Sequence, residues 1–155
     1  MFDTAYPGQA YSKALTENGE TNAHFLAQQL RDRKLDAIPA IIGRDQAARD
    51  NFLTPAPDLV IVHRSTFDPK DLGTGDREIA LLIAAAPKTT KFLIYSRKPG
   101  TDTAYAQSLA ARGGAPGRVV AIQLKTGDAW SDPDQIKLLL NEAESLLPTA
   151  SPKAA

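Results

Sequence analysis

The feature that most constrains the fold is a run of four residues, positions 59–62, that is apolar throughout: Leu-Val-Ile-Val. A strand with one face in water alternates apolar and polar residues, so a strand without alternation is buried on both faces. Such strands are typical of parallel sheets that lie between two layers of helices. Pro57 and Asp58 precede the run and favour a turn before it.

Related patterns recur along the chain. Residues 92–95 and 119–124 are further apolar strands, and residues 37–42 form a short strand that Pro39 restricts to an edge of the sheet. Apolar residues at helical spacing predict amphipathic helices over residues 23–34, 44–53, 76–86, 101–112 and 133–147. This alternation predicts an α/β fold: an open, doubly wound, mostly parallel sheet of four to five strands with helices on both faces.

Two short motifs lie at the start of the third predicted helix. Gly73-Thr74-Gly75 could offer backbone amides to an anion, but it lacks the lysine of a phosphate-binding loop. We therefore interpret it as a flexible turn. Asp76 follows directly and is expected to cap the helix.

The chain of 155 residues suits a single domain. We predict an irregular N-terminal arm at residues 1–20, one α/β domain at residues 21–148, and a disordered tail of small and polar residues at 149–155. The arm is rich in loop-forming residues and offers no strand for the middle of the sheet. Three explanations are open: the chain begins upstream, a neighbouring subunit donates a strand, or the sheet has four strands plus the arm. We favour the last, because residues 59–62 can pair directly with the edge strand.

Charge and composition exclude several classes of partner and cofactor. The 18 basic residues match the 18 acidic ones, so no overall field draws the protein to nucleic acid or to an anionic membrane. The absence of cysteine excludes disulfides, thiolate metal sites and a cysteine nucleophile, and we expect neither a metal nor another cofactor. No segment approaches the roughly 18 apolar residues of a membrane span. We expect a cytoplasmic protein, although a mature secreted chain would look the same.

Polar residues follow three of the predicted strands, and open α/β sheets bind ligands at the carboxyl ends of their strands. The candidates for binding a small anionic ligand are Arg64, Ser65, Arg97, Lys98 and Lys125. A solvated loop explains these residues equally well. The candidates for catalysis are His63, Ser96 and Lys125. His63 has a second interpretation as a hydrogen-bonded structural group at the end of a buried strand.

This pattern resembles the receiver domains of two-component response regulators, over roughly residues 22–147. In that family a strand like residues 57–62 ends in the phosphoacceptor aspartate, and the next strand ends in a serine or threonine, which Ser96 matches. The last strand ends in a lysine, which Lys125 matches. The resemblance implies a receiver-like, flavodoxin-like fold.

The resemblance also implies a change of mechanism. His63 occupies the position of the phosphoacceptor and cannot form an aspartyl phosphate. Receivers hold magnesium with an acidic pair after the first strand, and here only Asp3 stands near that place. One carboxylate and a histidine are a poor ligand set for magnesium. The resemblance therefore implies a receiver-like domain without aspartyl phosphotransfer.

Two functions remain open at this point. The first is a non-catalytic, phosphorylation-independent regulatory or protein-interaction domain, which we expect to be a homodimer with residues 1–19 in the contact. The second is a small α/β hydrolase or transferase that acts on an anionic substrate at the rim formed by His63, Ser96 and Lys125. The sequence supports the enzyme neither with an acidic residue assigned to orient the histidine nor with a Gly-x-Ser-x-Gly motif. A wide pocket at the strand ends would favour the enzyme, and a filled cleft with an apolar surface patch would favour the interaction domain.

Overall fold

The computed structural model describes residues 2–3, 19–37, 40–41, 45–54, 56–64, 67–68, 70–124 and 133–147. Strands and helices alternate along these residues. The strands are β1 (Phe2–Asp3), β2 (Ala40–Ile41), β3 (Leu59–His63), β4 (Lys91–Ser96) and β5 (Val119–Gln123). The helices are α1 (Gly19–Asp32), α2 (Gln46–Phe52), α3 (Leu72–Ala85), α4 (Thr103–Arg112) and α5 (Pro133–Leu146). None of these helices combines the length and the apolar character that crossing a membrane requires.

The strands form one sheet in the order β2-β1-β3-β4-β5, and all neighbouring pairs are parallel. Most of the sheet consists of β3, β4 and β5. The residues of β3 pair one by one with residues 91–95, and residues 92–96 pair in the same way with β5. The α/β class with a parallel sheet and flanking helices, predicted from the apolar runs, is confirmed.

The beginning of the chain differs from the prediction of an irregular arm at residues 1–20. Phe2 and Asp3 form β1, which lies between β2 and β3 and pairs with both. β3 therefore does not pair directly with the edge strand. In addition, α1 begins at Gly19, inside the predicted arm. A strand of two residues is too short to show periodicity, which is why the sequence pattern did not reveal it. Residues 4–18 and the predicted tail lie outside the described residues.

Each face of the sheet carries its own apolar core, because successive side chains of a strand point to opposite faces. On one face, Val60, Val62 and Ile94 pack against α3 and α4. On the other face, Ile61 and Leu93 pack against α1 and α5. The helix residues that complete the two cores are Ile79, Leu82, Ile83 and Leu109 on the first face and Leu26, Leu30, Leu139 and Leu140 on the second. Burial on both faces explains why these strands show no alternation in the sequence.

Three helices begin after an aspartate whose carboxylate accepts a hydrogen bond from a backbone N–H three residues later. These N-caps are Asp45, Asp71 and Asp102. Because Asp71 caps α3, the expected cap Asp76 lies inside the helix, where it is buried. The prediction that Gly73-Thr74-Gly75 forms a flexible turn was also wrong, because these residues belong to the first turn of α3.

Helices α3 and α4 pack closely at Gly113, which is the C-cap of α4. A Cβ atom at this position would lie 2.5 Å from Cγ2 and 2.9 Å from Cβ of Ile83. No side chain fits there without moving one helix. Gly113 therefore ends α4 and also sets the spacing of the two helices.

Candidate functional site

A cluster of four polar side chains occupies the carboxyl ends of β3 and β4 on the α3–α4 side of the sheet. Arg64 follows β3 directly and donates from Nε to Oδ1 of Asp76 at 3.2 Å and from Nη2 to Oδ2 at 3.1 Å. The hydroxyl of Tyr105 donates to Oδ1 of Asp76 at 2.7 Å. The guanidinium carbon of Arg64 lies 4.0 Å from the centroid of the Tyr105 ring. Together with Thr101, these residues form what we call the Arg64 cluster.

Thr101 connects the Arg64 cluster to the loop between β4 and α4. Nη1 of Arg64 donates to the Thr101 hydroxyl at 3.1 Å, and this hydroxyl donates to the backbone carbonyl of Lys98 at 2.9 Å. Thr101 is fully buried. The cluster thus joins four parts of the fold: the end of β3, helix α3, helix α4 and the β4–α4 loop.

Burial and charge act together on the titratable groups of the cluster. The side chains of Arg64 and Asp76 are only 13% and 11% exposed. Burial alone lowers the pKa of Arg64, but the hydrogen bonds and the negative charge of Asp76 outweigh it and raise the pKa above its ordinary value. Burial, together with the hydrogen bond to Asp76, raises the pKa of Tyr105. The cluster therefore holds a charged Arg64 guanidinium and a neutral Tyr105 phenol at physiological pH.

The hydrogen bonds of the Arg64 cluster offset the cost of removing Arg64 and Asp76 from water. A carboxylate and a guanidinium out of water need bidentate geometry and further hydrogen bonds to offset their desolvation. Asp76 has both, from Arg64 and Tyr105, and Arg64 also has Thr101 and the face of an aromatic ring. The groups of the cluster bind one another, so most of their hydrogen-bonding capacity is used within the protein.

His63 lies on the opposite side of the sheet. It follows Leu59 and Ile61 in the alternation of β3, and both of these residues belong to the α1–α5 core. Its ring packs edge-on against Tyr95, with 5.0 Å between the ring centroids and 90° between the planes. Burial, followed by the charges of Arg97 and Lys98, lowers the pKa of His63 from 6.5 to about 4. The imidazole is therefore neutral at pH 7.

Ser96 belongs to the α3–α4 side, because it continues the alternation of Phe92 and Ile94. It is 1% exposed, and its Oγ accepts a hydrogen bond from the backbone N–H of Lys98 at 2.9 Å. His63 and Ser96 thus point to opposite faces of the sheet and do not form a nucleophile and base. The register explains the separation, since His63 pairs with Tyr95 rather than with Ser96.

The remaining candidates fall into three groups. Arg97 and Lys98 are exposed in the β4–α4 loop, close enough to His63 to affect its pKa. Arg64, which was expected to bind a ligand, is instead engaged in the Arg64 cluster. Ser65 and Lys125 lie outside the described residues.

Sequence reasoning missed Asp76, Thr101 and Tyr105. A signal was present for Asp76, since it precedes Ile79, Ala80 and Ile83 at helical spacing and thus lies within the apolar stripe of α3. A carboxylate in such a stripe requires a cationic partner. Tyr105 has the same relation to Leu109 on α4. Neither position indicates which arginine completes the cluster.

A groove of about 310 Å³ between α1 and α5 is lined by Gln29, Asp32, Arg33, Pro133, Ile136, Lys137 and Leu140. None of the strand-end candidates that the structure describes lines it. Within the described ranges, no group of three or more histidine, aspartate or glutamate side chains is placed to hold a metal ion. No model of a known protein family matches the chain, and neither do the curated proteins or the solved structures with which it was compared.

Proposed function

We propose that this chain is a receiver-like regulatory or protein-interaction domain that works without phosphorylation and without catalysis. The observation that carries the proposal is the Arg64 cluster. Its buried polar groups bind one another at the carboxyl ends of β3 and β4, where open α/β sheets usually bind substrates and cofactors. Strand-end polar groups that are bonded to one another favour an interaction domain over an enzyme, which needs polar groups directed at a substrate.

The strand order supports the receiver-like part of the proposal. The order β2-β1-β3-β4-β5 is that of the flavodoxin-like doubly wound folds, to which receivers belong. In this order β3 is the central strand and lies between β1 and β4, as the strand that ends in the phosphoacceptor does in receivers. His63 occupies the end of β3, so this position holds an imidazole packed on Tyr95 in place of the carboxylate that forms an acyl phosphate.

The alternative function, a hydrolase or transferase at a rim of His63, Ser96 and Lys125, gains no support from this geometry. The first two side chains lie on opposite faces of the sheet, and Ser96 already accepts a hydrogen bond from the Lys98 backbone. An activated serine needs a base within hydrogen-bond reach.

The proposal is tested by adding beryllofluoride, which imitates an acyl phosphate, to the ¹⁵N-labelled chain in the presence of magnesium. We expect the amide spectrum to stay unchanged, because His63 replaces the acceptor. A phosphorylatable receiver domain measured in the same buffer is the positive control. Magnesium-dependent shifts at the ends of β3 and β4 would overturn the proposal.

The proposal includes self-association. β2 lies at one edge of the sheet, and an edge strand presents backbone groups with which a strand of a second chain can pair. We propose a homodimer with residues 1–19 in the contact, located in the cytoplasm. Light scattering of the full chain and of a chain without residues 4–18, which keeps β1, tests the contact. A monomer at tens of micromolar, or an equally dimeric truncated chain, would overturn it.

A further inference from the structure

The segment of the chain that contains α3 and α4 differs in charge from the rest of the sequence. Residues 70–118 contain eight basic and four acidic residues, whereas the rest of the chain contains ten basic and 14 acidic residues. We call residues 70–118 the basic region. The chain is neutral as a whole because the acidic residues elsewhere balance the charge of this region. A local field of this kind attracts an acidic partner even when the net charge is zero.

All four carboxylates of the basic region already have partners within the fold. Asp71 and Asp102 cap α3 and α4 through the backbone N–H groups of Thr74 and Tyr105. Asp76 binds Arg64, and Glu78 forms an ion pair with Arg49 at 3.7 Å. Both of these pairs lie largely out of water. No exposed residue of α3 or α4 is acidic.

The exposed side chains of the two helices are basic, small, apolar or uncharged polar. We define the basic face as six of these exposed residues: Arg77, Leu81, Ala84, Ser108, Ala111 and Arg112. Leu81 is 42% exposed, whereas Ile79, Leu82 and Ile83 of the same helix are buried. On α3, Arg77, Leu81 and Ala84 follow one another at helical spacing and share one side of the helix.

The packing of the two helices places the two arginines at opposite ends of this surface. Asp76 meets the hydroxyl of Tyr105 at one end, and Ile83 meets Gly113 at the other. The helices therefore run side by side in the same direction. Arg77 is next to the first contact and Arg112 is next to the second, so two cations flank a centre of leucine and small residues.

We propose that the basic face docks an acidic amphipathic helix of another protein, with its carboxylates on Arg77 and Arg112 and an apolar side chain on Leu81. Small residues such as Ala84 and Ser108 allow a helix to approach closely, and a partly exposed leucine offers an anchor. This inference rests on the proposed function, since it names the partner chemistry of an interaction domain.

The composition of the face distinguishes this partner from other anions. Nucleic acid sites use rows of cations along the phosphates, together with aromatic side chains on which bases stack. The basic face has two arginines and no aromatic residue. Membrane-binding helices carry a broad apolar face rich in large side chains, and here one leucine stands among alanines.

The probe is a synthetic helical peptide of about four turns, with leucines along one side and glutamates on the flanks. Its counterpart has lysine in place of every glutamate. Each peptide is titrated into the ¹⁵N-labelled full chain at low salt. We expect amide shifts centred on α3 and α4 with the acidic peptide only, and weaker binding as the salt concentration rises.

Variants of the chain make the test specific. Reversing the charge of both arginines, Arg77→Glu and Arg112→Glu, should lower the affinity for the acidic peptide by about tenfold or more. Leu81→Ala should lower this affinity by a smaller factor. The matched control is Lys34→Glu with Lys137→Glu, which reverses two exposed cations outside the basic face and should leave the affinity unchanged. Urea midpoints establish that each variant is folded.

Several results would overturn the inference: no binding of the acidic peptide, shifts centred away from α3 and α4, or equal weakening by the two double variants. If single-stranded RNA or phosphatidylserine vesicles bind the chain more tightly than the acidic peptide does, the basic face is a nucleic-acid or membrane site and the inference is wrong. Loss of concentration-dependent self-association in the Arg77→Glu, Arg112→Glu variant would identify a second copy of this chain as the occupant. None of these results depends on beryllofluoride, so failure of the docking site is distinguishable from failure of the proposed function.

Discussion

On the α1–α5 side of the sheet the core remains apolar up to the strand ends, where Tyr95 and the neutral ring of His63 close it. On the α3–α4 side the core ends in a buried ion pair with a tyrosine and a threonine around it. The first arrangement needs only shape and burial, whereas the second needs partners from several elements in fixed directions. Polar clusters of this kind cost desolvation and are stable only when every member is bonded. The two sides should therefore respond differently to substitution and to pH.

The largest effect is expected from Asp76→Ala. It leaves the guanidinium of Arg64 buried without its carboxylate, and breaking a buried pair in this way costs about 3–5 kcal/mol of unfolding free energy. Tyr105→Phe keeps the ring under Arg64 and removes one hydrogen bond to a charged group, so it should cost about 1.5–3 kcal/mol. Urea denaturation of the two variants measures both losses of unfolding free energy.

The control for this prediction is Asp102→Ala, which removes an aspartate from an exposed N-cap and should cost about 1 kcal/mol. If Asp76→Ala destabilises no more than Asp102→Ala, the Arg64 cluster does not hold the strand ends together. The contrast between the two sides of the sheet would then disappear.

On the apolar side, we expect Leu139→Ala to cost about 2–5 kcal/mol, because Leu139 is 1% exposed and its truncation leaves a cavity between α5 and the sheet. Leu138→Ala is the matched control on the same helix, since Leu138 is 47% exposed and should change stability little. Urea denaturation of both variants checks the result. A loss below about 1 kcal/mol for Leu139→Ala would mean that the core face of α5 is misassigned.

The smallest effect is a pH dependence that belongs to the apolar side. Between pH 6.5 and about 4 the unfolded chain binds a proton at His63 that the folded chain excludes, so stability falls as the pH is lowered through this window. Because the ring keeps partial exposure, we expect a loss of about 1–3 kcal/mol. His63→Gln removes this contribution and should give a flatter curve of unfolding free energy against pH. Parallel curves for the wild-type chain and His63→Gln would contradict this, because they would show that His63 has the same pKa in the folded and the unfolded chain.

Part of this site could be predicted from the sequence. The strand ends were located correctly, because a buried parallel strand is visible as an apolar run and its first polar residues follow it directly. Arg64 and Ser96 were named for this reason, but the roles expected for them depended on neighbours that the pattern does not specify. The partner of Arg64 lies 12 residues away on α3, and Thr101 lies 37 residues away in another loop.

The sequence by itself determined the class of the fold, the burial of the strands on both faces, and the apolar sides of α3, α4 and α5, because apolar periodicity is a local property. Only the tertiary structure decided that Phe2–Asp3 lies between β2 and β3, that Asp76 is a buried partner rather than a cap, and that His63 and Ser96 face opposite sides. Strand register and helix packing set these three features. Both arise from contacts between residues far apart in the chain, and a local sequence pattern does not specify which distant residues will be in contact.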